Sequence, residues 1–166
     1  DGKFIPVDGA EKIWDFETQD LTLAKKNGKI GFIDLKGNWV ITPIYDKAKA
    51  FSKNLAPVCV GSKWGYINPK AEFVIEPTYS DAEVFSSNGL APVKEKNWGF
   101  INEAGKLVIP TQYGITANGI IAMFVQQDKG FIGGVARVKN EGKWGFLKPD
   151  GTVVSNQWFE NAEPVH

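Results

Sequence analysis

Few side chains in this sequence form a pattern that could catalyse a reaction. The chain contains one histidine, His166, and one cysteine, Cys59. A Ser–His pair, a Cys–His pair and a histidine-rich zinc site all need a histidine within the fold. Because His166 is the last residue of this sequence, none of these sites is expected. Cys59 lies in the apolar run LAPVCV, which favours a small buried side chain over a reactive thiol. A single cysteine also provides no intramolecular disulfide and no thiolate cluster for a metal.

Carboxylates are the remaining candidates for catalysis, since two of them could hydrolyse a glycosidic bond. The acidic residues fall mostly in predicted turns, and examples are Asp34, Asp46, Asp81, Glu103 and Asp150. Turn formation and solvation are sufficient to explain acidic residues at such positions. The sequence contains no phosphate-binding loop, dinucleotide-binding fingerprint or calcium-binding EF-hand loop. We therefore predict that the protein is not an enzyme and that it uses no cofactor or metal.

Charge and hydropathy argue against two further classes of partner. The 19 basic and 19 acidic residues cancel, so the basic balance typical of a nucleic-acid-binding protein is absent. No apolar run approaches the roughly 20 residues that a membrane-spanning helix needs. No signal peptide is apparent and the first residue is Asp1, so we expect a processed or excised segment. The 18 glycines, 6 tryptophans and 11 phenylalanines favour short strands and tight turns.

The elements that hold these residues follow from an internal repeat, which its Trp-Gly dipeptides reveal. The dipeptide occurs at Trp64-Gly65, Trp98-Gly99 and Trp144-Gly145, with Ile30-Gly31 as a degenerate first copy. These anchors lie 34, 34 and 46 residues apart, so an insertion makes the last interval 12 residues longer than the others. An aromatic residue stands two positions after each anchor, and another stands fifteen positions after it. The second set is Tyr45, Tyr79, Tyr113 and Phe159.

Each copy predicts a three-stranded antiparallel meander. A strand such as LAPV leads through a turn to a strand such as WGFIN, and a second turn leads to KLVIP. The third strand is predicted to end at Pro43, Pro77 or Pro110, because proline cannot donate to the ladder. The fold class is therefore all-β, a tandem array of three-stranded units about 34 residues long. An open twisted array is favoured, and a small closed ring or propeller-like arrangement is the alternative.

The chain is predicted to form a single repeat array over residues 1–166. Its parts are a partial repeat at 1–20, repeats at 21–51, 52–85 and 86–113, an insertion at 114–130 and a last repeat at 131–166.

The Trp-Gly dipeptide is predicted to be structural. One unit cannot cover its own apolar face, so neighbouring units must stack. Trp64, Trp98 and Trp144 can each fill a seam between units, because a tryptophan buries up to about 250 Å². The glycine beside each of them is predicted to leave room for a ring, such as the tyrosine fifteen positions after the anchor. The alternative is a ladder of exposed tryptophan rings that stack on sugars.

The stretch LAPVKEKNWGFINEAGKLVIPTQY, which begins at Leu90, resembles the WG repeat (also called the KWG repeat) of bacterial proteins. The resemblance extends from Leu21 to Phe159, with a partial copy before it. The first copy departs from the motif by Ile30 in place of Trp, and the fourth by Ser155-Asn156-Gln157 in place of Ile and Pro. The resemblance implies a bacterial source and a secreted, periplasmic or cell-surface location. It supplies no catalytic residues.

Two functions from different classes remain open. The first is a scaffold that binds a protein partner, and the alternative is a carbohydrate-binding module that uses exposed Trp and Tyr rings. The insertion contains the apolar run IIAMFV, so Ile120, Met123 and Phe124 are predicted to anchor a partner. The alternative for the insertion is an extra strand or hairpin that covers an edge. Trp14 and Trp39 lie outside the Trp-Gly positions and are further candidates for exposed aromatic residues, with core packing as the alternative.

Overall fold

The computed structural model describes residues 7–16, 20–115 and 130–160. Fourteen β-strands and one short 3₁₀ turn, Val154–Asn156, lie in these ranges. The strands are β1 (Lys12–Ile13), β2 (Leu21–Lys26), β3 (Lys29–Asp34), β4 (Trp39–Tyr45), β5 (Lys47–Ala48), β6 (Ala56–Val60), β7 (Lys63–Ile67), β8 (Phe73–Tyr79), β9 (Asp81–Ala82), β10 (Leu90–Lys94), β11 (Trp98–Asn102), β12 (Leu107–Tyr113), β13 (Ala136–Asn140) and β14 (Lys143–Leu147). Within the described ranges, no helix has the length and apolar character that crossing a membrane requires.

The strands form antiparallel sheets in chain order, which confirms the predicted all-β repeat fold. Strands β1–β4, β5–β8 and β9–β12 form three four-stranded sheets, and β13 pairs with β14. Each four-stranded sheet adds a two-residue strand before the three predicted strands. The second and third sheets therefore start at Lys47 and Asp81, before the repeat starts predicted at 52 and 86. We name the repeats by their Trp-Gly hairpins: repeat 1 is β2–β4, repeat 2 is β6–β8, repeat 3 is β10–β12, and repeat 4 runs from β13 to Phe159.

The chain divides into two compact units, residues 1–79 and residues 80–166. The first unit contains repeats 1 and 2, and the second unit contains repeats 3 and 4. Each unit has a hydrophobic cluster of its own, which joins residues from its two repeats.

The third strand of each of the first three repeats contains a bulge at its proline. Phe100 pairs with Ile109 and Trp98 pairs with Tyr113, so residues 110–112 have no partners in the ladder. The same shift occurs in repeats 1 and 2. The prediction that these strands end at proline was wrong, because β4, β8 and β12 continue through the proline to the tyrosine. Proline suits the bulge, since no ladder donor is needed there.

A side-chain acceptor closes the turn between the second and third strands of each of these repeats. Asp34, Asn68 and Asn102 lie four residues after the anchor, and each accepts backbone N–H bonds from the residues two and four positions later. The N···O distances are 2.8–3.1 Å. These Asx turns fix the register of the hairpin that carries the bulge.

The turn of repeat 1 predicts a specific pH dependence. Hydrogen bonds from the side chain and the backbone N–H of Asn38 lower the pKa of Asp34 below its usual value of 3.8. A lowered pKa in the folded state contributes stability above the unfolded pKa, and that contribution is lost as pH falls through the folded pKa. We expect Asp34→Asn to unfold like the wild type near neutral pH, because asparagine fills the same position in repeats 2 and 3. Below about pH 4 the variant should lose less stability.

Urea unfolding of both proteins at a series of pH values tests this expectation. We expect the free energy of unfolding to fall less steeply with decreasing pH for Asp34→Asn than for the wild type. Some fall should remain, because the pKa values of Asp46 and Asp150 are lowered as well. An identical pH dependence of the unfolding free energy for the two proteins would contradict the lowered pKa of Asp34.

Candidate functional site

Each repeat has two faces of different chemistry. The aromatic face of repeat 3 consists of Leu90, Trp98, Phe100, Ile109 and Tyr113. Side chains alternate between the faces of a strand, and the opposite side of the hairpin carries aliphatic residues, which are smaller than the aromatic rings. We call this side the small-residue face, and in repeat 4 it consists of Ala136, Val138 and Leu147.

Within each unit, the aromatic face of one repeat packs against the small-residue face of the next. In the second unit, Ala136, Val138 and Leu147 belong to the same buried cluster as the aromatic face of repeat 3. In the first unit, the corresponding cluster joins the two sets of residues from repeats 1 and 2. Its buried members are Leu23, Ile30, Phe32, Ile41, Tyr45, Phe51, Ala56, Val58 and Ile67. The packing is therefore head to tail.

A recurring phenylalanine completes each of these contacts. Phe51 lies against Phe32 with the ring centroids 4.8 Å apart, and Phe131 lies against Phe100 at 5.1 Å. Phe51, Phe85 and Phe131 each precede a Trp-Gly anchor by thirteen residues, and all three are buried. This position was not predicted from the sequence. The constant spacing from the anchor was the signal that could have found it.

The tryptophans of repeats 2 and 3 are buried and have a cation over one ring face. Trp64 is 7% exposed and Trp98 is 5% exposed. The Nζ atom of Lys49 lies 4.9 Å from the Trp64 ring centroid, and that of Lys94 lies 5.9 Å from the Trp98 ring centroid. A sugar-stacking ladder needs open ring faces, and these two rings do not offer them.

Repeat 4 leaves its aromatic face partly open. Trp144 and Phe146 are only half-buried, whereas the equivalent Trp98 and Phe100 are buried. Phe159, which pairs with Trp144, is 42% exposed. Among the described residues, no further repeat follows to cover this face.

Two cations border the same face. Arg137 pairs with Phe146 and Lys139 pairs with Trp144 across the β13–β14 hairpin. The Cζ atom of Arg137 lies 4.8 Å and the Nζ atom of Lys139 lies 5.4 Å from the Trp144 ring centroid. We refer to Arg137, Lys139, Trp144, Phe146 and Phe159 as the open aromatic face.

The loss of the third strand explains why repeat 4 differs. Ser155-Asn156-Gln157 replaces the bulged segment, and a short 3₁₀ turn at Val154–Asn156 takes its place. The ring of Trp158 instead turns towards repeat 3 and stacks on Tyr113, with centroids 6.4 Å apart and ring planes at 18°. The polar side chain of Ser155 stands where repeats 1 to 3 have a buried isoleucine.

The glycine of each Trp-Gly dipeptide is required by a close approach, but its neighbour is not the predicted ring. A Cβ atom at Gly99 would lie 2.5 Å from the carbonyl oxygen of Ile109 and 2.8 Å from the carbonyl carbon of Pro110. Gly31 and Gly65 meet the backbone of their own third strands in the same way. The bulge thus crosses directly over the glycine.

Only repeat 4 places a ring at this position. A Cβ atom at Gly145 would lie 2.8 Å from Cε3 of Trp158. The predicted tyrosine partner was wrong for repeats 1 to 3, because the bulge of the third strand already fills the space. Tyr45 and Tyr113 are buried on the aromatic faces, Tyr79 is half-buried, and burial raises the pKa of Tyr45.

The other predicted site residues lie apart from the open aromatic face. Trp14 is half-buried against the core of the first unit, and the Nζ atom of Lys12 lies 4.5 Å from its ring centroid. Trp39 is also half-buried, and its Nε1–H donates to the backbone oxygen of Asp8 at 3.2 Å. Their role in partner binding stays a prediction. Ile120, Met123 and Phe124 lie outside the described residues.

The ionisable groups of the described ranges form no cluster of three or more His, Cys, Asp or Glu side chains that could hold a metal ion. Cys59 is buried, in keeping with its position in an apolar strand.

Comparison with known protein families matches the model described as WG containing repeat at three consecutive segments, residues 30–64, 64–97 and 98–114. These segments run from the second residue of β3 to the end of β12, the part of the chain in which the bulge and the Asx turn recur. Searches of curated proteins and of solved structures found no match. The resemblance seen in the sequence is thereby confirmed, and the chain belongs to the family of the WG containing repeat.

Proposed function

We propose that this protein is a non-catalytic repeat scaffold that binds a protein partner through the open aromatic face. One observation carries the proposal. The aromatic faces of repeats 1 and 3 are covered by the next repeat, whereas the same face of repeat 4 keeps its rings but is only partly covered.

The chemistry of the face supports a polypeptide partner. Tryptophan, tyrosine and arginine contribute most often to the binding energy of protein interfaces, and the face combines Trp144 and Arg137 in contact. The face also carries three aromatic rings, at Trp144, Phe146 and Phe159.

Peptide display tests the proposal and needs no identified partner. Random displayed peptides are selected on the immobilised chain and are then measured on two variants. We expect Phe146→Ala to weaken the selected peptides about tenfold, because it removes a ring from the centre of the face. Phe73→Ala is the matched control, since Phe73 is also a half-buried phenylalanine but belongs to the first unit.

The outcome of the selection decides the proposal. Peptides that bind the wild type and Phe73→Ala but lose affinity for Phe146→Ala support docking at the open aromatic face. A selection that enriches no peptide, or only peptides that bind Phe146→Ala as well as the wild type, would overturn it.

A carbohydrate partner is the second candidate, and the pairing of Trp144 with the exposed Phe159 is the observation that favours it. Two adjacent rings could stack on a sugar ring. A panel of glycans should then show binding that Trp144→Ala abolishes. No binding to any glycan, together with peptide binding at the same face, would remove this candidate.

The insertion at 114–130 and the residues Trp14 and Trp39 remain predicted partner contacts. Their contribution is separable from that of the open aromatic face, because Phe146→Ala leaves all of them unchanged.

A further inference from the structure

We infer that the open aromatic face binds a β-hairpin of the WG-repeat type that a different protein supplies. This inference rests on the proposed function and specifies the partner. The small-residue face of the incoming hairpin covers Trp144, Phe146 and Phe159. A phenylalanine that precedes the hairpin lies on the ring of Phe146.

The shape of the partner follows from a contact that this chain forms once in each of its two units. In both units, the aromatic face of one repeat is buried against the first two strands of the next repeat. Two alternate residues of the first strand and one residue of the second strand make this contact. They are Ala56, Val58 and Ile67 in repeat 2, and Ala136, Val138 and Leu147 in repeat 4. The open aromatic face has the rings that such a hairpin covers.

A phenylalanine thirteen residues before the anchor of the covering hairpin completes both contacts. Phe51 lies on Phe32 with the ring centroids 4.8 Å apart, and Phe131 lies on Phe100 at 5.1 Å. Both receiving rings stand two positions after the anchor of the covered repeat, where repeat 4 has Phe146. A phenylalanine that leads into the incoming hairpin therefore has a matching ring on the open aromatic face.

The backbone that follows each covered face adds a polar contact to the covering hairpin. The N–H groups of Asp46 and Gly114 donate to the carbonyl oxygens of Cys59 at 3.0 Å and Lys139 at 2.7 Å. Both acceptors stand five residues before the anchor of the covering hairpin. Glu160 occupies the donor position in repeat 4, and among the described residues its N–H has no backbone acceptor. An incoming hairpin can supply this acceptor.

Cations over the tryptophan are compatible with such coverage. The Nζ atom of Lys94 lies 5.9 Å from the ring centroid of Trp98, and this tryptophan is still buried in the cluster shared with repeat 4. The cations of Arg137 and Lys139 over Trp144 therefore do not prevent a hairpin from covering this ring.

A second copy of the chain is not the expected partner, because its own small-residue faces are covered. By strand register, these faces consist of Thr22, Ala24 and Ile33 in repeat 1 and of Ala91, Val93 and Ile101 in repeat 3. These residues and their equivalents in repeats 2 and 4 are all at most 3% exposed. The hairpin must therefore come from a protein in which a small-residue face is uncovered.

A closed peptide with the sequence of residues 51–68, the hairpin that covers repeat 1, is the probe. A two-stranded hairpin is only marginally stable alone, so the peptide is closed by a disulfide. Cys59 stands directly opposite Trp64, and such antiparallel pairs have Cα atoms about 4.5–5.5 Å apart, which a disulfide can bridge. Trp64→Cys in the peptide therefore closes the hairpin on the side away from its small-residue face. The control peptide also carries Val58→Ser and Ile67→Ser.

Fluorescence anisotropy measures the binding of each peptide, labelled with fluorescein, to the full chain. We expect the control peptide to bind at least about tenfold more weakly, because its serine side chains replace the apolar groups that cover the rings. Phe146→Ala in the full chain should weaken the closed hairpin about tenfold. Phe73→Ala should leave its affinity unchanged, since Phe73 lies in the first unit. Circular dichroism checks the folding of each variant, and Phe159→Ala alters an exposed ring of the same face if Phe146→Ala does not fold.

Three results would overturn the inference: no binding of the closed hairpin, equal binding of the control peptide, or binding that the substitutions in the open aromatic face do not weaken. If the closed hairpin fails to bind while displayed linear peptides still require Phe146, the docking face stands and its partner is of another kind. If the displayed peptides fail as well, the proposed function fails with the inference. Concentration-dependent self-association of the full chain that Phe146→Ala removes would assign the face to a second copy and reject a different protein.

Discussion

Replacing Trp98 by alanine is expected to lower the free energy of unfolding by about 3–5 kcal/mol. The side chain is 5% exposed and belongs to the cluster that joins repeats 3 and 4. Removing the side chain leaves a cavity bordered by two repeats. The repeats cannot close this cavity without breaking the backbone pairing of position 98 with Lys94 and Tyr113. Denaturant unfolding followed by circular dichroism measures the change in midpoint at constant slope.

Trp144→Ala is the matched control for this prediction. Trp144 occupies the same position in repeat 4 but is half-buried, so we expect a cost of about 1–2 kcal/mol. Comparing the losses of unfolding free energy in the two variants separates the effect of packing around the ring from any intrinsic preference of this strand for tryptophan. Equal costs, or an unfolding midpoint of Trp98→Ala close to that of the wild type, would contradict a structural role for Trp98.

The regular part of the fold could be predicted because its strands and turns depend on residues that are close together in the sequence of each repeat. Alternating apolar residues fix the strands, and turn residues fix the hairpins. Asn27 and Gly28, with φ angles of 51° and 75°, form the tight turn that the Asn-Gly dipeptide predicts between β2 and β3. The four copies agree on these features, so even a degenerate copy such as the one at Ile30 could be recognised.

The register of the third strand could not be predicted, because it depends on the pairing of two strands. The pattern around Pro110 shows that a donor is missing but not that three residues leave the ladder. Because the sequence does not reveal this bulge, it led to a ring as the expected neighbour of Gly99. The actual neighbour is the backbone of β12.

The candidate site was predictable only in part, because residues at equivalent positions of different repeats can differ in solvent exposure. Trp98 and Trp144 both begin a Trp-Gly-Phe segment, and they differ in burial because repeat 4 packs on the aromatic face of repeat 3. Arg137, at a position where repeats 2 and 3 have proline, was visible in the sequence as a departure. Its significance emerges only from the fold, in which this position borders the aromatic face.

Replacing Gly99 by alanine tests the bulge itself and is expected to cost about 3 kcal/mol. The added methyl group would lie 2.5 Å from the carbonyl oxygen of Ile109 and 2.8 Å from the backbone nitrogen of Thr111. Backbone atoms on both sides belong to paired strands, so the clash can be relieved only by moving β12 away from β11. Gly99→Val adds two further methyl groups and should cost more.

Gly145→Ala distinguishes this backbone clash from ordinary crowding. At Gly145 the nearest atoms are ring carbons of Trp158, which is half-buried and can turn away. We therefore expect a cost of about 1 kcal/mol, near the lower end for overpacking, with reduced stacking of Trp158 on Tyr113. Denaturant unfolding of the two alanine variants gives both costs on one scale. If Gly145→Ala proved as costly as Gly99→Ala, the requirement for glycine would lie in the β-hairpin itself, and the bulge of the third strand would not be its cause.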